Sequence, residues 1–281
     1  MSPPYVYRKV SAADMPAAHA LSVHLKWPHR EEDWAMVQRT SEGFVAEHEG
    51  ALVGVAFACH QGAYSSIGLV IVSDQHQGKG IGRRLMNLCL DAVAPRTPIL
   101  NATESGAPLY ISMGFVEFAR IQQHQGVPQI PAPIPSTPHT ACRVLSPDDY
   151  PKVIELANAG SGLDRTGVLN DLLPAAEQVV GIEVEGHLKG CALLRRFGRG
   201  HLIGPVVAQD QDQARQLITH LLQLIPGAFV RFDIPTECGL SEWLESLGLP
   251  CVDKAPRMVR GVAPQPSAGI NQFALVTQAI G

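Results

Sequence analysis

The chain repeats itself, and a repeat of this length restricts the fold more than any single motif does. Arg8, Asp14 and Pro16 are matched by Arg143, Asp149 and Pro151, 135 residues later. FVAEHEGALVG (44–54) has the layout of VGIEVEGHLKG (180–190), and IGLVIVSDQHQ (67–77) that of IGPVVAQDQDQ (203–213), both at an offset of 136. LYISMGF (109–115) is answered by WLESLGL (243–249) at an offset of 134. Blocks that keep one order at nearly one spacing imply a tandem duplication, so the chain must fold as two copies of one unit. GVPQIPAPIPSTPHT (126–140), with five prolines in fifteen residues, falls between them. Proline fixes φ and removes amide donors, so this stretch is expected to be a semi-rigid connector. The expected organisation is a first unit at 1–125, a linker at 126–140, a second unit at 141–262 and a tail at 263–281. The apolar end of the tail is expected to dock as a last strand or helix.

Each copy reads as mixed α/β, a mixed sheet flanked by helices. In the first, a short strand at 5–10 precedes helical segments between 14 and 40. FVAEH and EGALVGVAFACH then form a hairpin about Glu49-Gly50, a dipeptide suited to a tight turn. A strand at 66–72 leads into a helix from about 80 to 93, which Pro95 and Pro98 stop. ILNAT (99–103) is a strand, APLYISM (107–113) a helix, and Phe115 opens a last strand running to about Gln122.

Composition narrows the function by exclusion. With 46% apolar and 17% charged residues the chain can bury two cores. A net charge of −4 and no basic block argue against nucleic acid as a partner. No apolar run is long enough to span a bilayer, and MSPPYVYRKVSAAD lacks the apolar stretch of a secretory leader. The six cysteines are scattered without a CxxC pair, as in reduced cytoplasmic proteins. No histidine falls in an HExxH pattern, so no metal is expected.

DQHQGKGIGRRLM (74–86) carries the chemistry. Gly78, Gly80 and Gly82 alternate with Lys79 and Ile81 at a strand-to-helix junction. Glycine lets backbone amides approach a ligand, and a helix N-terminus adds unpaired N–H groups and a positive dipole end. Such a turn suits a pyrophosphate. It has neither the GxxxxGK[ST] layout of nucleotide hydrolases nor GxGxxG.

The string VSDQHQGKGIG (72–82), followed by ILNAT and by APLYISMGF (107–115), resembles the acyl-CoA-binding motif of the GCN5-related N-acetyltransferases. The resemblance covers nearly all of residues 5–125; it departs at Asp74, where proline is usual, and by one residue fewer before Leu109-Tyr110. It implies tandem acyl-CoA N-acyltransferase-like domains using acetyl-CoA as cosubstrate. It further implies that Gln77, Gly78, Lys79, Gly80, Ile81 and Gly82, with Arg83 following, hold the CoA pyrophosphate. Leu69, Val70, Ile71 and Val72 would pair with the pantetheine arm, and Asn101 would face it. Tyr110 would be the general acid that protonates the departing thiolate. A glutamate that many relatives carry before the cradle is missing from SSIGLVIV (65–72), which leaves the general base unassigned. Trp27, His29, Glu31 and Asp33 in WPHREEDW (27–34) are the candidates for the acceptor site, with the acids expected to attract a cationic amine.

The second copy reads VAQDQDQARQL (207–217), without the three glycines, and its tyrosine position holds Trp243 or Leu244. It is expected to be a degenerate domain. The resulting expectation is an N-acetyltransferase moving an acetyl group to a primary amine of a small molecule. A non-catalytic acyl-CoA-sensing module and a protein N-acetyltransferase are the alternatives. A tandem pair mimics the dimer of single-domain relatives, so a monomer or homodimer is expected.

Overall fold

A computed structural model describes residues 4–134 and 140–281. Residues 135–139, towards the end of the proline-rich connector, lie outside the described residues. The strands are β1 (Val6–Lys9), β2 (Glu42–His48), β3 (Ala51–Gln61), β4 (Tyr64–Val72), β5 (Thr97–Asn101), β6 (Val116–Gly126), β7 (Thr140–Val144), β8 (Gln178–Val184), β9 (His187–Phe197), β10 (Gly200–Ala208), β11 (Val230–Pro235), β12 (Cys251–Val259) and β13 (Asn271–Ala274). The helices are α1 (Met15–His24), α2 (Glu31–Thr40), α3 (Ile81–Val93), α4 (Ala107–Ser112), α5 (Tyr150–Ser161), α6 (Thr166–Leu172), α7 (Gln211–Leu224) and α8 (Ser241–Ser246).

Local chemistry sets these elements. Glu49-Gly50 and Glu185-Gly186 turn the two equivalent hairpins with positive φ at both residues, +52° and +78° in the first and +51° and +75° in the second. Along α3 the buried residues are Ile81, Leu85, Met86, Cys89 and Val93, a single stripe at helical spacing, so the helix lies with that stripe on the sheet. Arg8 grips Asp14 through two nitrogens at 2.7 Å, and Asp14 also accepts the Ser11 amide; Arg143, Asp149 and Ser146 repeat the arrangement. The duplication therefore extends to individual ion pairs.

The copies do not form separate sheets. All the described strands join one mixed sheet in the order β1-β2-β3-β4-β5-β12-β6-β11-β10-β9-β8-β7, with β13 added on β10. The last strands of the two repeats are exchanged. β12 pairs antiparallel with β5, and β6 pairs antiparallel with β11. Each half-sheet is thus completed by the other repeat, and residues near 125 sit inside the sheet rather than at a boundary in space. β6 accordingly runs beyond Gln122 to Gly126 because β11 offers it a partner along that length.

One apolar cluster lies beneath α1, α2, α5 and α6 and spans both repeats, from Trp34 and Phe57 to Leu169 and Leu193. A second fills the space under α3 and α4, and a third the space under α7 and α8. Asp171 accepts from Arg39 at 2.7 and 2.9 Å across the repeats. The tail docks as expected. β13 is a strand, and the residues after it run on across the sheet between the halves.

Candidate active site

The parallel pairing of β4 with β5 covers only Tyr64–Ser66 against Thr97–Ile99, after which the strands diverge. Leu69 then takes φ +50°, and the register with β3 slips between Val55 and Phe57. This bulge bends β4 away from β5 and leaves the β5-facing edge of residues 69–72 free. Leu69 and Ile71 pack toward α1 and α2, whereas Val70 and Val72 face α3 and α4.

The glycine turn follows directly. Gly78 and Gly80 have φ of +73° and +79°, and a Cβ on either would meet nothing within 4 Å. Their bareness therefore answers a backbone need and leaves open space above the turn. Gln77 Nε2 donates to the Val72 carbonyl at 3.1 Å and to Asp74 Oδ1 at 3.0 Å, so Asp74 closes the turn where proline is more usual. Gly80 caps α3 in the left-handed conformation, and among the described residues no side chain caps that N-terminus. Ile81, 1% exposed, pins the first turn to the core, and Arg83 ties α3 to α4 through Ser112 Oγ at 2.7 Å. Lys79 is exposed beside the turn.

Tyr110 lies under α4, 8% exposed, edge-on to Phe115 and in the same cluster as Val70 and Val72. Burial, with Cys89 adding to it, pushes its phenol up to about 12, so the group stays protonated at any working pH. Its hydroxyl has no hydrogen-bond partner among the described residues.

On the other face of the bulge lies a cavity of about 590 Å³ walled by both repeats and the tail. Gly68, Leu69 and Asn101 meet it from the first sheet half, Trp27 and His29 from the α1–α2 loop, Arg231 and Asp253 from the second repeat, and Thr277–Ala279 from the tail. Burial and the charges of Arg231 and Arg195 pull the His29 imidazole down to about 4, against the opposing pull of Asp33 and Asp233. His29 is therefore neutral near pH 7.

Two acetyltransferase (GNAT) domain families match this chain, one over residues 21–133 and the other over residues 153–274. An N-acetyltransferase of Bacillus subtilis, YitH, described as uncharacterized, is 30% identical over 225 residues, 78% of each chain. The chain belongs to the GCN5-related N-acetyltransferase (GNAT) family. A putative acetyltransferase from Pyrococcus horikoshii superposes with a TM-score of 0.80 at 20% identity, covering 99% of this chain and 96% of that one. A tandem GNAT protein from the clavulanic acid biosynthesis pathway gives 0.65 at 13% identity, with 94% and 100% covered. Both likenesses show the fold.

GNAT domains typically use acetyl-CoA, and the first repeat has room for it. Open space over Gly78 and Gly80, an uncapped helix N-terminus and a free strand edge fit a pyrophosphate followed by an extended arm. The second GNAT repeat is closed at both equivalent places. Asp210 caps α7, accepting from the Gln213 amide at 2.9 Å. β13 pairs with Val206–Ala208 of β10, the residues that correspond to Val70–Val72, and so fills the divergence between β10 and β11 with the chain's own strand.

Several expected contacts are placed differently. Asn101 lines the cavity, but its Nδ2 donates to the Gln278 carbonyl at 2.7 Å, so part of its hydrogen-bonding capacity holds the tail. Asp33 does not line the cavity. It accepts from the Arg30 and Gly198 amides at 2.9 and 3.0 Å and from the Arg30 side chain, capping α2 and tying the repeats together. Glu31 stands in solvent with 77% of its side chain exposed. Dipole-favoured acids at a helix start explain both. The charged lining is instead Lys26, Arg199 and Arg231 against the lone carboxylate of Asp253. The acids expected to attract a cationic amine are therefore not part of this lining. A signal was present in VRFDIP (230–235), where Arg231 and Asp233 interrupt an otherwise apolar, buried strand.

Proposed function

We propose that this GNAT protein moves an acetyl group from acetyl-CoA directly to the primary amine of a small molecule, at a single site in the first repeat. One observation carries the reading: at the bulge of β4, the free strand edge that leads to the open cradle and a cavity walled by both repeats lie on opposite faces of the strand. Acetyl-CoA supplies the acetyl group as an activated thioester. The amides of Gln77–Gly82 hold its phosphates, the free edge of Leu69–Val72 aligns its arm, and an amide of the Gly68–Val70 bulge faces the carbonyl oxygen. Tyr110, on the α4 side, donates its proton to the departing sulfur. The cavity's volume and its two-repeat walls suit a small acceptor rather than an extended peptide. The reading requires neither nucleic acid nor membrane, and it fits a cytoplasmic enzyme working as monomer or homodimer. Among the described residues no helix is long and apolar enough to cross a membrane.

His29 fills part of the gap left by the missing glutamate. An imidazole with a pKa of about 4 is too weak a base to strip an alkylammonium ion. It does stay neutral, and so can accept a hydrogen bond from the amine and orient it. Deprotonation then falls to water, which predicts the pH profile. The value of kcat/KM should rise to the acceptor amine's own pKa, without an inflection at pH 6–7 and without a falling limb from Tyr110 below about pH 10. An inflection near 6.5 that disappears in His29→Gln would show that His29 titrates as an ordinary base.

The decisive experiment measures CoA thiol release over a panel of small amines, amino acids, aminoglycosides and lysine peptides, with acetyl-CoA binding followed alongside. Transfer to small primary amines is expected. Tight acetyl-CoA binding without transfer to any acceptor would favour a sensing module, and preferential peptide acetylation would point to a protein acetyltransferase.

A further inference from the structure

The cavity's charged groups narrow the acceptor. Resting on the acetyltransferase reading of this site, we propose that the acceptor is a small amine that also carries an anionic oxygen group, a carboxylate or a phosphate, seated by Arg231, Arg199 and Lys26.

Arg231 anchors the proposed subsite. It sits on β11, where Val230, Phe232 and Ile234 pack under α7 and α8 and the alternate residues point to the opposite face. The residue is 6% exposed, yet it lines the cavity. Asp233 accepts from Nε at 2.9 Å and from Nη2 at 3.1 Å, and Gln278 Oε1 accepts from Nη2 at 3.1 Å. Its guanidinium also lies 5.4 Å from the Phe197 ring centroid. One edge and one face are thereby fixed, and Nη1 makes no hydrogen bond among the described residues. A guanidinium held in this way presents its remaining N–H groups in one direction, which is what recognition of a carboxylate or phosphate oxygen needs.

The neighbours supply excess charge. Arg199 stacks over Phe229 at 4.5 Å, and Lys26 rises from the α1–α2 loop at φ +59°. Neither has an acidic partner within 4 Å among the described residues, and both line the cavity. Three cations face the single carboxylate of Asp253, and counting Asp233 against Arg231 still leaves one positive charge (3 − 2 = 1). Arg231, buried at one wall of the cavity, acts there more strongly than a charge in open water does. Polyamines meet repulsion there, whereas an amine bearing an anionic group gains an anchor and has its nitrogen held at a fixed distance from it.

The test uses matched acceptors with the full-length protein. An α-amino acid is compared with its amide, an aminoalkylphosphonate with the corresponding amino alcohol, and spermidine serves as the cationic control. The anionic member of at least one pair is expected to lead in kcat/KM by about tenfold or more, because a site built for a polar group rejects the analogue lacking it. The arm with the larger ratio identifies the group. Arg231→Lys tests the anchor, but its loss can unfold a buried pair, so Arg199→Ala with Lys26→Ala, both exposed, is the safer probe. That double variant should raise KM for the anionic acceptor about tenfold, leave kcat near the parent value and compress the ratio within the pair. Equal use of both members, or preference for spermidine, overturns the inference and leaves acetyl transfer standing. Transfer to no amine at all overturns the acetyltransferase reading and the inference with it.

Discussion

Tyr110→Phe should lower kcat by about 100-fold, within the range attributed to a positioned general acid, while acetyl-CoA affinity changes less than about twofold. The structure makes this substitution unusually clean. The hydroxyl has no hydrogen-bond partner among the described residues, so its removal leaves no buried group unpaired, and the ring keeps its edge-on contact with Phe115. Stability should therefore match the parent in a thermal melt. A leaving thiolate must take a proton, and a phenol held near 12 can supply one at every pH at which the enzyme works. Tyr110 lies on the α3–α4 face of β4 with Val70 and Val72, the face of the cradle, and not on the acceptor cavity. Its loss should consequently fall on kcat and spare the acceptor's KM. An unchanged kcat would leave Tyr110 as a packing residue beneath α4.

What the sequence disclosed follows from which interactions are local. The cradle was legible because Gly78 and Gly80 adopt positive φ, a demand that a backbone turn writes directly into residue identity. The hairpins were legible from Glu49-Gly50 and its copy for the same reason. The strand exchange was not. β6 and β12 hold equivalent places in equivalent repeats, yet each pairs with a strand of the other repeat, β11 and β5 respectively. The choice belongs to the chain connection and to the joint packing of the two copies.

The cavity was hidden for a related reason. Its walls converge from the α1–α2 loop, β4, β11, β12 and the tail, so no window of sequence contains it. Of WPHREEDW, Trp27 and His29 reach the cavity, and its acids lie elsewhere. Asp33 and Glu31 serve the start of α2. In the second repeat, missing glycines indicated a lost cofactor site. At the equivalent places the structure puts a helix cap by Asp210, a residue of the aligned motif, and a strand from the tail, which lies outside it.

The tail makes the second large prediction. Its backbone passes both bulge regions in succession. A Cβ on Gly68 would lie 1.9 Å from the Ala279 carbonyl oxygen, and one on the equivalent Gly204 would lie 2.0 Å from that of Leu275. Both obstacles are main chain, and the tail is fastened on either side. Asn101 and Gln61 donate to the carbonyls of Gln278 and Ile280, Arg195 donates to that of Val276, and the Gln278 amide donates to Asp233. Neither methyl group can therefore be absorbed by a side-chain rotation. Gly68→Ala and Gly204→Ala should each cost about 1–3 kcal/mol or more, as overpacked cores do. For a chain of this size that is a fall in Tm of roughly 3–10 °C. The two variants should part company in function. Gly68, Gln278 and Ala279 line the acceptor cavity whereas Gly204 does not, so Gly68→Ala should also raise the acceptor's KM several-fold while Gly204→Ala leaves it near the parent value. A parental melt for Gly68→Ala would mean that the tail does not hold this position in solution. The cavity would then lose the wall that makes it small.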